Sequence, residues 1–189
     1  MRLFVALLPP RAAVEHLAAA VEPLRDDVLR WAGTDAWHVT LAFYGELPDS
    51  VLDDVTARVA RAARRHPAVE LTLAGAGRFG KAVLWAGVQG DVAAVRRCAQ
   101  SMRAVGRRVG VPPDDSKFRP HVTLARSRRP RDLRWYVEQL AGYQGPAWTV
   151  TEVALVRSDL DTEPGAGPRY DVVGRFPLGD VTTPPPAQR

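Results

Sequence analysis

His38-Val39-Thr40-Leu41 and His121-Val122-Thr123-Leu124 are one tetrapeptide, written once in each half of a 189-residue chain that holds only four histidines. Each copy sits in a short apolar run, residues 37–42 and 120–125, that reads as a β-strand. Successive side chains on a strand point to opposite faces, so each histidine shares a face with its threonine while valine and leucine take the other. The two polar groups then stand about 6–7 Å apart over a buried apolar face. Two such strands meeting at one cleft would supply an acid, a base and hydroxyl donors for an anion. That set suits phosphodiester chemistry without a metal.

Outward from these strands the element order repeats. The first half reads as a strand at 2–8, a helix at 11–30, the His38 strand at 37–43, a helix at 49–65 and a strand at 69–76. The second reads as a strand at 82–88, a helix at 91–109, the His121 strand at 118–125, a helix at 131–141 and a strand at 148–157, with a last strand at 169–176. The halves, 2–76 and 82–157, match in element order and in the histidine motifs but little elsewhere. The expectation is an α+β fold with two pseudo-symmetric lobes. Each lobe is a mainly antiparallel sheet with helices on its outer face, and the histidine motifs lie on central strands facing a shared cleft. Residues 1–179 form one two-lobed domain on this reading, and 180–189, rich in proline, form a flexible tail.

Composition narrows the setting. The net charge is +5, and Lys81 and Lys117 are the only lysines, so 24 of the 26 basic residues are arginine. Arginine's planar fork suits phosphate oxygens and stacks on bases, which fits an anionic partner, although an arginine-rich coding bias gives the same composition. Cys98 is the only cysteine, which rules out an internal disulfide and a thiolate metal site. The apolar opening at 3–8 ends at Pro9-Pro10; it is too short to span a bilayer and reads as a strand rather than a signal peptide. A cytoplasmic monomer with no membrane association is expected.

A single histidine in a strand is usually structural, but two copies in matching contexts are hard to explain that way. A zinc site needs three or four ligands, and no third ligand stands at a familiar spacing, so neither metal nor other cofactor is expected. His16 and His66 fall in helices and read as surface residues. Strict alternation places Phe43 with Val39 and Leu41 in the core and leaves Tyr44 as the candidate for stacking a base. Arg126 follows the second motif at the strand's end, as a candidate phosphate contact or a solvated charge beside Arg128-Arg129.

At these motifs and their flanks the chain resembles the 2H phosphoesterase superfamily, and within it the RNA 2′,3′-cyclic phosphodiesterases, also called 2′-5′ RNA ligases. The likeness rests on residues 1–6, the first signature at 37–46, the second at 118–126 and the closing segments at 153–158 and 167–170. Ala42 stands where the family often has lysine. The resemblance implies a partner, an RNA 3′ end or nucleotide closed as a 2′,3′-cyclic phosphate, and hydrolysis to a 2′-phosphate. It implies His121 as the base activating water and His38 as the acid protonating the leaving 3′ oxygen. Thr40 and Thr123 would donate to the non-bridging oxygens. The alternatives are a 2′-5′ RNA ligase, a phosphodiesterase for another cyclic or 2′-5′-linked nucleotide, or a module that binds RNA ends without turnover.

Overall fold

The computed structural model describes residues 1–112, 116–159 and 168–179; the expected tail at 180–189 lies outside the described residues. The elements, in order, are β1 (Arg2–Leu7), α1 (Arg11–Val21), β2 (Arg30–Trp31), β3 (Val39–Glu46), α2 (Leu52–Ala63), β4 (Val69–Phe79) and β5 (Val83–Gly90). Then come α3 (Val92–Arg108), β6 (His121–Arg126), α4 (Arg134–Gln139), β7 (Gln144–Val150), β8 (Glu152–Asp159) and β9 (Arg169–Pro177).

All strand pairings are antiparallel, and the sheet runs β7-β4-β5-β6-β3-β1-β8-β9, with β2 pairing with the end of β6 at Ala125 and Arg126. This order is symmetric about the β6–β3 junction, where one pair, Val39 opposite Val122, joins two four-stranded lobes. β4, from the first half, lies beside β5, and β8, from the second, lies beside β1, so each half lends its last strand to the other half's lobe. The helices cover one face. α3 packs on β3 and α2, and α1 packs on β7. Buried positions Val55, Val59 and Ala62 of α2, with Val95, Ala99, Met102 and Val105 of α3, recur at helical spacing and form those seams. Leu3, Val5, Leu7, Leu41, Leu84, Leu124 and Leu155 supply the sheet's side of the main core. The opposite face of β1 carries Phe4 and Ala6, which pack with Ala154 and Val156 in a second, smaller cluster.

Several boundaries differ from the sequence reading for local reasons. The helix expected over 11–30 stops at Val21 because Pro23 cannot continue an α-helix; residues 22–24 make a 3₁₀ turn, and Arg30–Trp31 become β2. The helix at 131–141 contracts to Arg134–Gln139. The strand at 148–157 divides at Thr151 into β7 and β8, which pair in different lobes, with β4 and with β1.

The largest difference is a β-bulge, and it occurs twice. Val5 pairs with Ala42 but Ala6 pairs with Thr40, so Leu41 is an extra residue in β3. Leu84 pairs with Ala125 but Trp85 pairs with Thr123, so Leu124 is the equivalent extra residue in β6. A bulge resets the in–out alternation. Leu41 and Ala42 are both buried, as are Leu124 and Ala125, and the side chains that follow directly, Phe43 and Arg126, change face. Phe43 is therefore 49% exposed, and Tyr44, expected to face substrate, is 3% exposed inside the core. Its hydroxyl donates to the Met102 carbonyl at 3.0 Å, and its ring lies over Gly106, where an added Cβ would stand 3.0 Å from Cδ1.

Tyr44→Phe is expected to lower stability by about 1 kcal/mol through loss of the buried hydrogen bond, whereas Phe43→Ala changes it by less than about 0.5 kcal/mol. Urea denaturation of both variants checks the inverted burial.

Candidate active site

The two histidines occupy equivalent places. A 3₁₀ turn at Thr34–Ala36 precedes His38 and directs the Ala36 carbonyl at its ring; Nδ1–H donates to that oxygen at 2.8 Å. His121 Nδ1–H donates to the Arg119 carbonyl at 2.7 Å, again two residues upstream. A carbonyl only accepts, so each ring carries its proton on Nδ1 and leaves the Nε2 lone pair for chemistry. Trp37 and Pro120, the residues just before each histidine, are buried and anchor the strands. Two aromatic rings brace each imidazole. Phe4 of β1 and Tyr170 of β9 stand 4.6 and 5.2 Å from His38 between ring centres. Phe79 of β4 and Trp85 of β5 stand 4.8 and 6.0 Å from His121.

Both rings are poor bases in the free protein. Burial pushes His38 down to about 4; its Ala36 hydrogen bond opposes this, and repulsion from charge on His121 adds to it. His121 is lowered mainly by burial, opposed by the Arg119 carbonyl, with further depression from the guanidinium groups of Arg126 and Arg119. Because charge on His121 disfavours a proton on His38, the rings lie in one electrostatic environment, and both are neutral at pH 7. An anion placed between them would supply the missing countercharge and favour a proton on the pair.

Thr40 and Thr123 are half-buried, two residues beyond their histidines and on the same face. Arg126 is exposed, and the bulge returns it to that face; its charge acts on His121 and on Tyr170. Phe43 and Arg126 thus hold the same position, five residues after a histidine, in the two copies. A cleft of about 400 Å³ opens beside Thr40 and His121, walled by Phe43, Phe79, Phe118 and Arg119. Alternation alone hides Phe43, yet the sequence carried a signal. Leu41-Ala42 and Leu124-Ala125 put two consecutive apolar residues where one was due, at the same offset in both motifs. Phe79 and Tyr170 come from segments that no local pattern ties to the histidines, whereas Phe118 and Arg119 lie just before His121, in a stretch without strand alternation to assign them a face. Among the described residues no three His, Cys, Asp or Glu side chains gather into a group that could hold a metal ion, and no helix is long and apolar enough to cross a membrane.

Comparison with known proteins points one way. A family model described as the 2′-5′ RNA ligase superfamily matches residues 9–162. An RNA 2′,3′-cyclic phosphodiesterase of Thermus thermophilus is 34% identical over 94% of this chain and 90% of its own length. One from Aeropyrum pernix is 27% identical over 85% and 88%. A crystal structure of a Thermus thermophilus protein superposes with a TM-score of 0.75 at 31% identity, covering 95% of this chain and all of that one. Escherichia coli LigT complexed with 3′-AMP gives 0.78 at 25% identity, covering 94% and 97%.

A ring that resists protonation when folded stabilises the fold above the pKa of the unfolded chain, about 6.5, because below it the unfolded chain takes up a proton that the native ring refuses. For His38 that contribution is expected to be complete above pH 6.5 and to fade as pH falls towards 4. NMR titration of the ring protons should place His38 near 4 and His121 below the usual imidazole range, and inorganic phosphate should raise both. Two titrations near 6.5, indifferent to phosphate, would contradict the shared electrostatic site.

Proposed function

This chain belongs to the 2′-5′ RNA ligase superfamily, and we propose that it hydrolyses 2′,3′-cyclic phosphates at RNA ends or on nucleotides to 2′-phosphomonoesters, with His38 and His121 as the acid–base pair. One observation carries the reading: both rings have Nδ1 tied to a carbonyl two residues back, so both Nε2 atoms are available at adjoining central strands. Opening the cyclic diester requires removal of a proton from water on one side of phosphorus. The 3′ oxygen leaving on the other side must be protonated. Thr40 and Thr123, on the histidines' face, are suited to donate to the non-bridging oxygens, and Arg126 adds positive charge where negative charge develops.

The roles within the pair follow from the cations. Arg119 and Arg126 disfavour an imidazolium at His121, which suits it to receive a proton from water. His38 has no arginine among the causes of its depression, only burial and its partner ring, so a bound phosphate restores its proton and suits it to act as the acid. Phe43, beside the cleft, takes the base-stacking role that strict alternation assigns to Tyr44.

Incubation with a nucleoside 2′,3′-cyclic phosphate should give the 2′-monoester, and His38→Ala or His121→Ala should each lower kcat by about 10²–10⁴. A substrate with sulfur in place of the leaving 3′ oxygen needs no proton at departure, so it should restore rate to His38→Ala and not to His121→Ala. The rate should survive a chelator, and Phe43→Ala should raise KM more than it lowers kcat. Because both free rings are depressed, kcat/KM should already fall as pH rises through 6–7, while kcat holds to higher pH in the phosphate-bound state. Full turnover by either histidine variant would remove the acid–base pair from the account.

A further inference from the structure

The strand that carries His121 leads into a cationic strip that the chemistry above does not use. β6 ends at Arg126, and the chain continues through exposed Arg128, Arg129 and Arg131 to α4, where Trp135 is 53% exposed. The tip of the β4–β5 hairpin is fastened to this loop, with Ser127 N–H donating to the Ala82 carbonyl at 2.8 Å and Arg131 N–H to the Lys81 carbonyl at 2.9 Å. Lys81 therefore joins the arginines, while Phe79, on the same hairpin, walls the cleft and braces His121. The strip meets the site by two routes, through Arg126 and through that hairpin.

Its composition is unbalanced. Arg134 is paired with Asp132 at 2.6 Å, but Arg128, Arg129 and Arg131 enter no ion pair among the described residues. With Asp132 engaged by Arg134, the remaining guanidinium groups repel one another at a cost in stability that an anionic ligand would offset. Trp135 stands edge-to-face with Tyr136, ring centres 4.9 Å apart, so a large aromatic surface is held in place at the strip's far end. Cations followed by a fixed, exposed aromatic make a surface for single-stranded nucleic acid: guanidinium groups track phosphates and an indole stacks a base without choosing among sequences.

We propose that this strip holds the single-stranded RNA leading into the terminal cyclic phosphate, with Arg128 and Arg129 on backbone phosphates and Trp135 stacking an upstream base. The proposal rests on the cyclic phosphodiesterase reading above and sharpens it. A free cyclic nucleotide has no upstream phosphates, so the strip would make an RNA end the better substrate.

The test compares a labelled six-nucleotide RNA ending in a 2′,3′-cyclic phosphate with the matching nucleoside 2′,3′-cyclic phosphate. It uses the unaltered protein, R128E/R129E and Trp135→Ala, each variant checked for an unchanged melting temperature. For the unaltered protein kcat/KM should favour the RNA by about tenfold or more at low salt, and the advantage should shrink as salt rises. R128E/R129E should remove most of it and Trp135→Ala about tenfold, while turnover of the mononucleotide stays within about twofold. Equal rates for both substrates, or variants that keep the full RNA advantage, would overturn the strip. If the unaltered protein hydrolyses neither substrate, the activity reading fails instead, and fluorescence anisotropy of the same labelled RNA on the same three proteins still decides the strip.

Discussion

The site depends on one strand contact, Val39 against Val122 at the junction of β3 and β6. Both valines are fully buried, so this pair fixes which face of each central strand meets the helices. A slip by one residue would turn the histidines and threonines into the core and the leucines outward, at a cost of several buried apolar side chains. With the register held, two identical local sequences lying antiparallel across a pseudo-two-fold carry identical groups on the same face of the sheet. The resemblance between the two imidazoles in tautomer, carbonyl partner and aromatic bracing is a consequence of that contact.

The paired bulges do a second job. Without them Leu41 and Leu124 would be followed by alternate faces in strict order, and residue 43 would lie under the helices. By admitting an extra residue at the same offset, each strand keeps both a leucine and an alanine in the core and re-aims the residue that follows. The core gains Tyr44, held by Met102 and seated on Gly106, the cleft gains Phe43, and Arg126 returns to the histidines' face. One backbone irregularity thus serves packing and site together.

Much of this is legible in the chain itself. The duplicated tetrapeptide marks the central strands, and the element order points to the antiparallel two-lobed arrangement, because both rest on patterns local to a few residues. Alternation misplaces Tyr44 because it assumes an unbroken pleat, and the doubled Leu-Ala that marks the bulge reads equally as an ordinary apolar run. A helix carried past Pro23 overrides a local signal that is present. Phe79, Phe118, Arg119 and Tyr170 are beyond reach for another reason. Phe79 and Tyr170 arrive from strands distant in sequence, Phe118 and Arg119 stand beside His121 but outside its strand, where alternation assigns no face, and the exchange of β4 and β8 between halves is a tertiary fact that no window of sequence encodes.

A two-fold scaffold offers symmetric chemistry to a substrate that has no symmetry, so function must come from where the two halves differ. They differ most at the two bulges. One presents an aromatic ring and the other a guanidinium, and β2 lies against Ala125 and Arg126 while a cleft opens beside Ala42 and Phe43. An asymmetric ester entering between two equivalent imidazoles would then be oriented by these neighbours, its apolar part towards Phe43 and its charge towards Arg126. The arginines bias the rings in the same sense, since Arg119 and Arg126 act on His121 and not on His38. On the proposed reading, duplication supplies the catalytic pair, and the departures from duplication decide which member gives the proton and which receives it.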